Sequence, residues 1–105
     1  MTLKTLKYVI VNWSMLMVDA TVEIINKLGL HARAASKLAN LAGSFNSKIT
    51  IQKNQQTADG KGLMSLMLLA AGKGTIIRIL CDGSDESAAL DAMTTLIANR
   101  FNEAE

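Results

Sequence analysis

The sequence predicts a single α+β domain in which helices cover one face of a mainly antiparallel, four-stranded sheet while solvent meets the other. Three observations lead there. The chain has 105 residues, 50% of them apolar, enough for one modest core and too few for two compact domains. Stretches of alternating hydrophobicity and of helical spacing succeed one another in the order β-α-β-β-α-β-α. No regular βαβ repeat is present, which argues against a parallel sheet. With no Pro, few aromatics and 19% charged residues, the composition is not that of a disordered or collagenous chain. The core is expected to draw on aliphatic side chains and on the six methionines.

Residues 1–16 are read as an N-terminal extension outside the domain, an unstructured tail or a stretch upstream of the natural start, with the domain itself over 17–105. Their apolar run, Tyr8 to Val11, is broken by Asn12 and Ser14 and falls short of the roughly 20 apolar residues of a membrane span. Ala20 to Ile25 alternates as a half-buried strand, and Asn26 to Gly29 supplies turn residues. Ala35, Leu38, Ala39 and Ala42 then recur at helical spacing until Gly43. Ser47 to Lys53 alternates again, and Asn54 to Gln56 turn the chain into a short third strand ending near Gly60. The next helix is bracketed by Gly62 and Gly72, a length of about two and a half turns. Thr75 to Cys81 is rich in β-branched residues and reads as a strand. Asp82-Gly83 turns, Ser84 caps, Glu86 opens the helix, and Ala88, Ala89, Ala92, Met93, Leu96, Ile97 and Phe101 mark a long final helix.

The net charge of +2 comes from Lys4 and Lys7, since the basic and acidic residues after position 16 balance. No cationic cluster remains for a nucleic-acid surface, so no nucleic-acid partner is expected. The single cysteine, Cys81, cannot form an internal disulfide, and a reducing cytoplasm is the natural compartment. One cysteine and one histidine also exclude clustered zinc sites, and no metal is expected.

That histidine, His31, lies where the turn meets the first helix. A helix start has unpaired amides and about half a positive charge, and so binds anions. With His31 as the cap, an imidazole nitrogen would face the free amides of Ala32 and Arg33, and the Arg33 guanidinium could reach the same space. There a neutral ring is available as a nucleophile, and amides plus guanidinium could hold a phosphoryl group attached to it. A plain cap or surface residue remains the alternative on spacing alone.

Four blocks extend the pattern: Asn26-Lys27-Leu28-Gly29-Leu30-His31-Ala32-Arg33; Gly60-Lys61 with Leu63-Met64-Ser65-Leu66-Met67; Gly74-Thr75; and Gly83-Ser84-Asp85-Glu86. In this order, from Val18 to Glu103, the chain resembles HPr, the histidine-containing phosphocarrier family of the bacterial phosphoenolpyruvate:sugar phosphotransferase system. The resemblance implies an open-faced β-sandwich and a cytoplasmic carrier, not a turnover enzyme, that needs no cofactor. It implies that His31 accepts a phosphoryl group through Nδ1 from Enzyme I and passes it to IIA domains of sugar permeases. Arg33 assists, the backbone of Ala32, Arg33 and Ala34 binds the phosphate, and the protein acts as a monomer without membrane insertion. The nitrogen-regulatory branch of the same family and a non-catalytic regulatory binding module are the alternatives.

Two positions depart from the family pattern. Ala34 stands where most members carry Pro, which adds an amide donor beside the site. Gly62 stands at the regulatory serine, so phosphorylation there is expected to be absent; Ser65 lies about 300° further around the helix. In the apolar run after Gly62, Leu63, Met64, Met67 and Leu68 share one side and Leu66, Leu69 and Ala70 another. One side is expected in the core. The resemblance implies that Leu63, Met64 and Met67, on the other, meet Enzyme I and IIA domains.

Overall fold

The computed structural model describes residues 17–105, so the expected extension lies outside the described residues. Strand β1 (Met17–Glu23) is followed by helix α1 (Ala32–Gly43), strands β2 (Lys48–Lys53) and β3 (Gln56–Asp59), helix α2 (Leu63–Leu68), strand β4 (Ile76–Asp82) and helix α3 (Glu86–Ala98). A 3₁₀ turn, Arg100–Asn102, closes the order. The sheet runs β1-β4-β2-β3, and every pairing in it is antiparallel.

Side chains alternate across this sheet. Ile49 and Ile51 of β2 stand opposite Cys81 and Ile79 of β4, which puts all four on one face with Ile77. Against that face pack Ala34, Ala35, Leu38 and Ala42 of α1, Leu66 of α2, and Ala89, Met93 and Ile97 of α3. Each large aliphatic side chain buried there contributes about 1.5–3 kcal/mol. The other face, which holds Ile76 and Leu80 as well as polar residues, carries a cross-strand pair, Arg78 Nε to Asp19 Oδ2 at 2.6 Å, partly exposed and worth less than about 1 kcal/mol. Methionine contributes less to the core than composition suggests: of Met17, Met64, Met67 and Met93, only Met93 is fully buried.

Several boundaries differ from expectation. β1 spans Met17–Glu23 instead of Ala20 to Ile25, because Ile24 already leaves the ladder to bond the β4 approach, its amide donating to Thr75 O at 2.9 Å. β2 begins one residue later than Ser47, whose buried hydroxyl is taken by Asp85 Oδ1, and β4 runs from Ile76 to Asp82. α2 has six residues, well short of two and a half turns, since Ala70 turns left-handed at φ 52°. Asp85, not Ser84, is the N-cap of α3, and its carboxylate leaves that helix to accept from the amides of Asn46 and Ser47.

The largest departure is at the end of α3. Phe101 fits the helical spacing, yet α3 stops at Ala98, and Arg100, Phe101 and Asn102 have φ of 57°, 54° and 64°. Three successive left-handed residues without glycine cost roughly 1–2 kcal/mol each. Phe101 is completely buried by that turn, and Lys37 Nζ of α1 donates to its carbonyl at 2.6 Å. Phe101→Ala is therefore expected to lower stability by about 3–5 kcal/mol, read from the midpoint of urea unfolding; a change under about 1 kcal/mol would mean that the turn holds without its aromatic anchor.

Candidate functional site

The loop before α1 is built to present its last residue. Gly29 has φ 67°, and a Cβ there would lie 2.7 Å from both Ala71 O and Gly72 Cα, so only glycine allows the loop to pass this close. Leu30 then donates its amide to Ala71 O at 2.8 Å. Asn26, fully buried, donates from Nδ2 to Gly29 O at 2.7 Å and braces the turn from inside. These contacts set His31 as the N-cap of α1, with extended backbone (φ −77°, ψ 178°).

His31 does not cap with its side chain, contrary to the simplest sequence expectation. Its Nε2 lies 2.6 Å from Oε2 of Glu103. The other carboxylate oxygen accepts from Asn26 Nδ2 at 3.0 Å. Burial pushes the Glu103 carboxyl up, but the hydrogen bonds from His31 and Asn26 and the charges of His31 and Lys37 outweigh it and hold the group below the usual carboxylate range. An ionised carboxylate only accepts, so in the neutral form of the ring the single proton sits on Nε2 and the lone pair on Nδ1. Nδ1 has no partner among the described residues.

The first backbone bond of α1 is Ala35 N to His31 O at 2.8 Å, and among the described residues the amides of Ala32, Arg33 and Ala34 have no backbone acceptor. Ala32 and Arg33 are exposed, whereas Ala34 is fully buried and its amide is the most sheltered of the three. Arg33 makes no ion pair among the described residues, which leaves its guanidinium available to an anion. Lys27, Leu28, His31, Arg33, Glu103 and Glu105 line one open recess of about 630 Å³. The exposed Lys27–Glu105 pair at 3.2 Å closes one side, and Lys27 N donates to Glu105 O at 2.6 Å.

The site residues read from the sequence thus come together around His31, and two were missed. Asn26 reads only as a turn residue of the first block and Glu103 carries no local signal, because the contacts of Glu103 with His31 and Asn26 span 72 and 77 residues and the fold-back at Phe101 is invisible in helical periodicity. The apolar residues of α2 and its C-cap divide as expected except for Ala70: Leu66 and Leu69 are buried, while Leu63, Met64, Met67 and Leu68 are exposed by 39%, 67%, 37% and 75%. Ala70, expected beside Leu66 and Leu69, is exposed because its left-handed turn takes it off the helix. Leu28, 66% exposed beside His31, adds an apolar surface that sequence reading did not single out. Gly62 is the N-cap of α2, with extended backbone and no hydroxyl. Cys81 is buried, and burial, with Glu86 and Asp85, pushes its thiol up to about 11, so it stays protonated and inert. Among the described residues no group of three or more His, Cys, Asp or Glu is placed to hold a metal ion.

Known proteins resemble this chain in sequence and in fold. A family model described as "PTS HPr component phosphorylation site" matches residues 18–99. The chain is 52% identical to a phosphocarrier protein HPr of Cupriavidus necator over 91 residues, which is 87% of this chain and all of that protein. It is 45% identical to a phosphocarrier protein NPr of Shewanella violacea, over 82% of this chain and 94% of the relative. In structure it resembles HPr-C-His from Thermoanaerobacter tengcongensis, with a TM-score of 0.81 at 34% identity, covering 84% of this chain and 99% of the other.

The His31–Glu103 pair makes a titration prediction. The Glu103 carboxyl should titrate below ordinary glutamates in carbon NMR, and His31→Ala, which removes a hydrogen bond and a charge, should move it up. Because the folded value is depressed, the stabilisation from this carboxylate is complete above the ordinary glutamate range and is lost as pH falls through the folded value. Equal midpoints with and without the imidazole would show that the two groups do not meet in solution.

Proposed function

This chain belongs to the HPr family of phosphocarriers of the phosphotransferase system, and on that premise we propose that His31 Nδ1 is the atom that carries the phosphoryl group. In this reading it takes the group from Enzyme I and hands it to IIA domains of sugar permeases, in the cytoplasm and as a monomer, without turnover of its own. The observation that carries the proposal is the division of labour on one ring. Nε2 is engaged by Glu103, while among the described residues Nδ1 is unpartnered and three amides at the helix start have no backbone acceptor.

The chemistry suits so open a site. Phosphoryl transfer asks for alignment and charge stabilisation more than for covalent help, and a carrier must expose its group to two different proteins in turn. The amides of Ala32, Arg33 and Ala34 and the guanidinium of Arg33 would hold the phosphoryl oxygens. Leu63, Met64 and Met67 would form the docking face: exposed aliphatic and thioether side chains adapt to more than one partner surface. Gly62 offers no hydroxyl, so control through a serine kinase at that position is absent in this reading.

With phosphoenolpyruvate and Enzyme I, the chain is expected to acquire an acid-labile phosphate that vanishes in His31→Ala; an unmodified chain would sink the proposal. Onward transfer separates the branches, since a sugar IIA domain should discharge the carrier faster than a nitrogen-regulatory IIA does. Met64→Glu, at an exposed position, should raise the KM for Enzyme I roughly tenfold without changing the melting temperature. Lost stability with unchanged KM would return Met64 to the core.

A further inference from the structure

We propose that Glu103 is a positioning residue for phosphoryl transfer: by accepting from His31 Nε2 it holds the ring in the tautomer whose lone pair is on Nδ1, and it balances the positive charge the ring gains as the new bond forms. The inference rests on the reading of His31 as the carrier and extends it to a residue outside the family-model match, which ends at 99.

Each oxygen of the carboxylate has its own donor, His31 at 2.6 Å and Asn26 at 3.0 Å, so the group is held against rotation. Asn26 is fully buried and spends both Nδ2 hydrogens, one on Gly29 O and one on Glu103, while its Oδ1 has no partner among the described residues. An unmet buried polar atom is a cost to stability. Flipping the amide would set Oδ1 against the Gly29 carbonyl and the carboxylate, so the orphan is a consequence of aiming Nδ2 at both. The backbone that carries Glu103 is also strained, with three left-handed residues immediately before it and Phe101 and Lys37 holding the turn closed. The cost of strain and the orphan atom converge on one result, a fixed carboxylate on the Nε2 edge of the ring.

During transfer, the donor's bond to phosphorus breaks as the Nδ1 lone pair forms the new P–N bond. No proton leaves the ring: the neutral imidazole, protonated on Nε2, becomes a phosphorylated ring that keeps that proton and gains a positive charge. The hydrogen bond to Glu103 becomes charge-assisted on both sides and strengthens at that moment. The carboxylate stays clear of the phosphoryl oxygens because it occupies the opposite edge of the imidazole.

Nitrogen NMR of the His31 ring at alkaline pH, together with single-turnover transfer from phosphorylated Enzyme I, tests the proposal in the full chain. The native ring is expected in the Nε2–H tautomer. Glu103→Ala should give a mixture of tautomers and slow transfer by at least about tenfold, the scale of one lost charge-assisted hydrogen bond, with an unchanged KM for Enzyme I. Glu103→Gln, which keeps an acceptor oxygen but no charge, should retain part of the tautomer preference and fall between the two in rate; it also serves if the alanine variant does not fold. A folded Glu103→Ala that keeps either the native tautomer or the native rate overturns the inference. Failure of the native chain to take phosphate would instead overturn the carrier reading, and the tautomer measurement would still decide the role of Glu103.

Discussion

The chain reversal after α3 is the constraint on which the site depends. Helical spacing would carry Phe101 onward along the axis of α3, but the left-handed run Arg100–Asn102 swings it back into the core between α1 and α3. Burial of the ring and the Lys37 hydrogen bond to its carbonyl offset the unfavourable backbone. The same reversal brings Glu103 against His31, 72 residues away in sequence. Stability and site geometry are thus coupled through a single aromatic side chain.

A second coupling runs through the loop before α1. Asn26 supports the Gly29 turn and Glu103 with the same amide group, so the position of the imidazole and that of its counter-charge are set together. The close passage of Gly29 over Ala71 and Gly72 ties that loop to the segment leading into β4. His31 therefore sits on a rigid frame although its recess is open and shallow. That combination fits a carrier: the frame supplies preorganisation, and the openness lets a partner deliver or remove the group.

Much of the fold was legible because it rests on periodicity. Ile49 and Ile51 alternate with polar residues, the run from Thr75 to Cys81 is rich in β-branched side chains, and Leu38, Ala39 and Ala42 follow helical spacing, so strands and helices could be placed. Boundaries were less legible where a side chain or backbone group found a distant partner. Asp85 displaced Ser84 as cap because its carboxylate bonds the start of β2, and α2 ended early because Ala70 turned left-handed. Neither contact leaves a trace in a local window of residues.

By itself the sequence determined the α+β class, the order of elements, and the place of His31 and Arg33 at a helix start. These follow from spacing and residue chemistry within a few turns of chain. Only the tertiary structure decided which nitrogen of His31 is engaged, that an acid completes the site, and that Asn26 and Phe101 hold it in place. The physical reason is the range of the interactions: periodicity reports which face of an element is buried, whereas a hydrogen bond between the start and the end of the domain exists only after the sheet and helices have brought the two together.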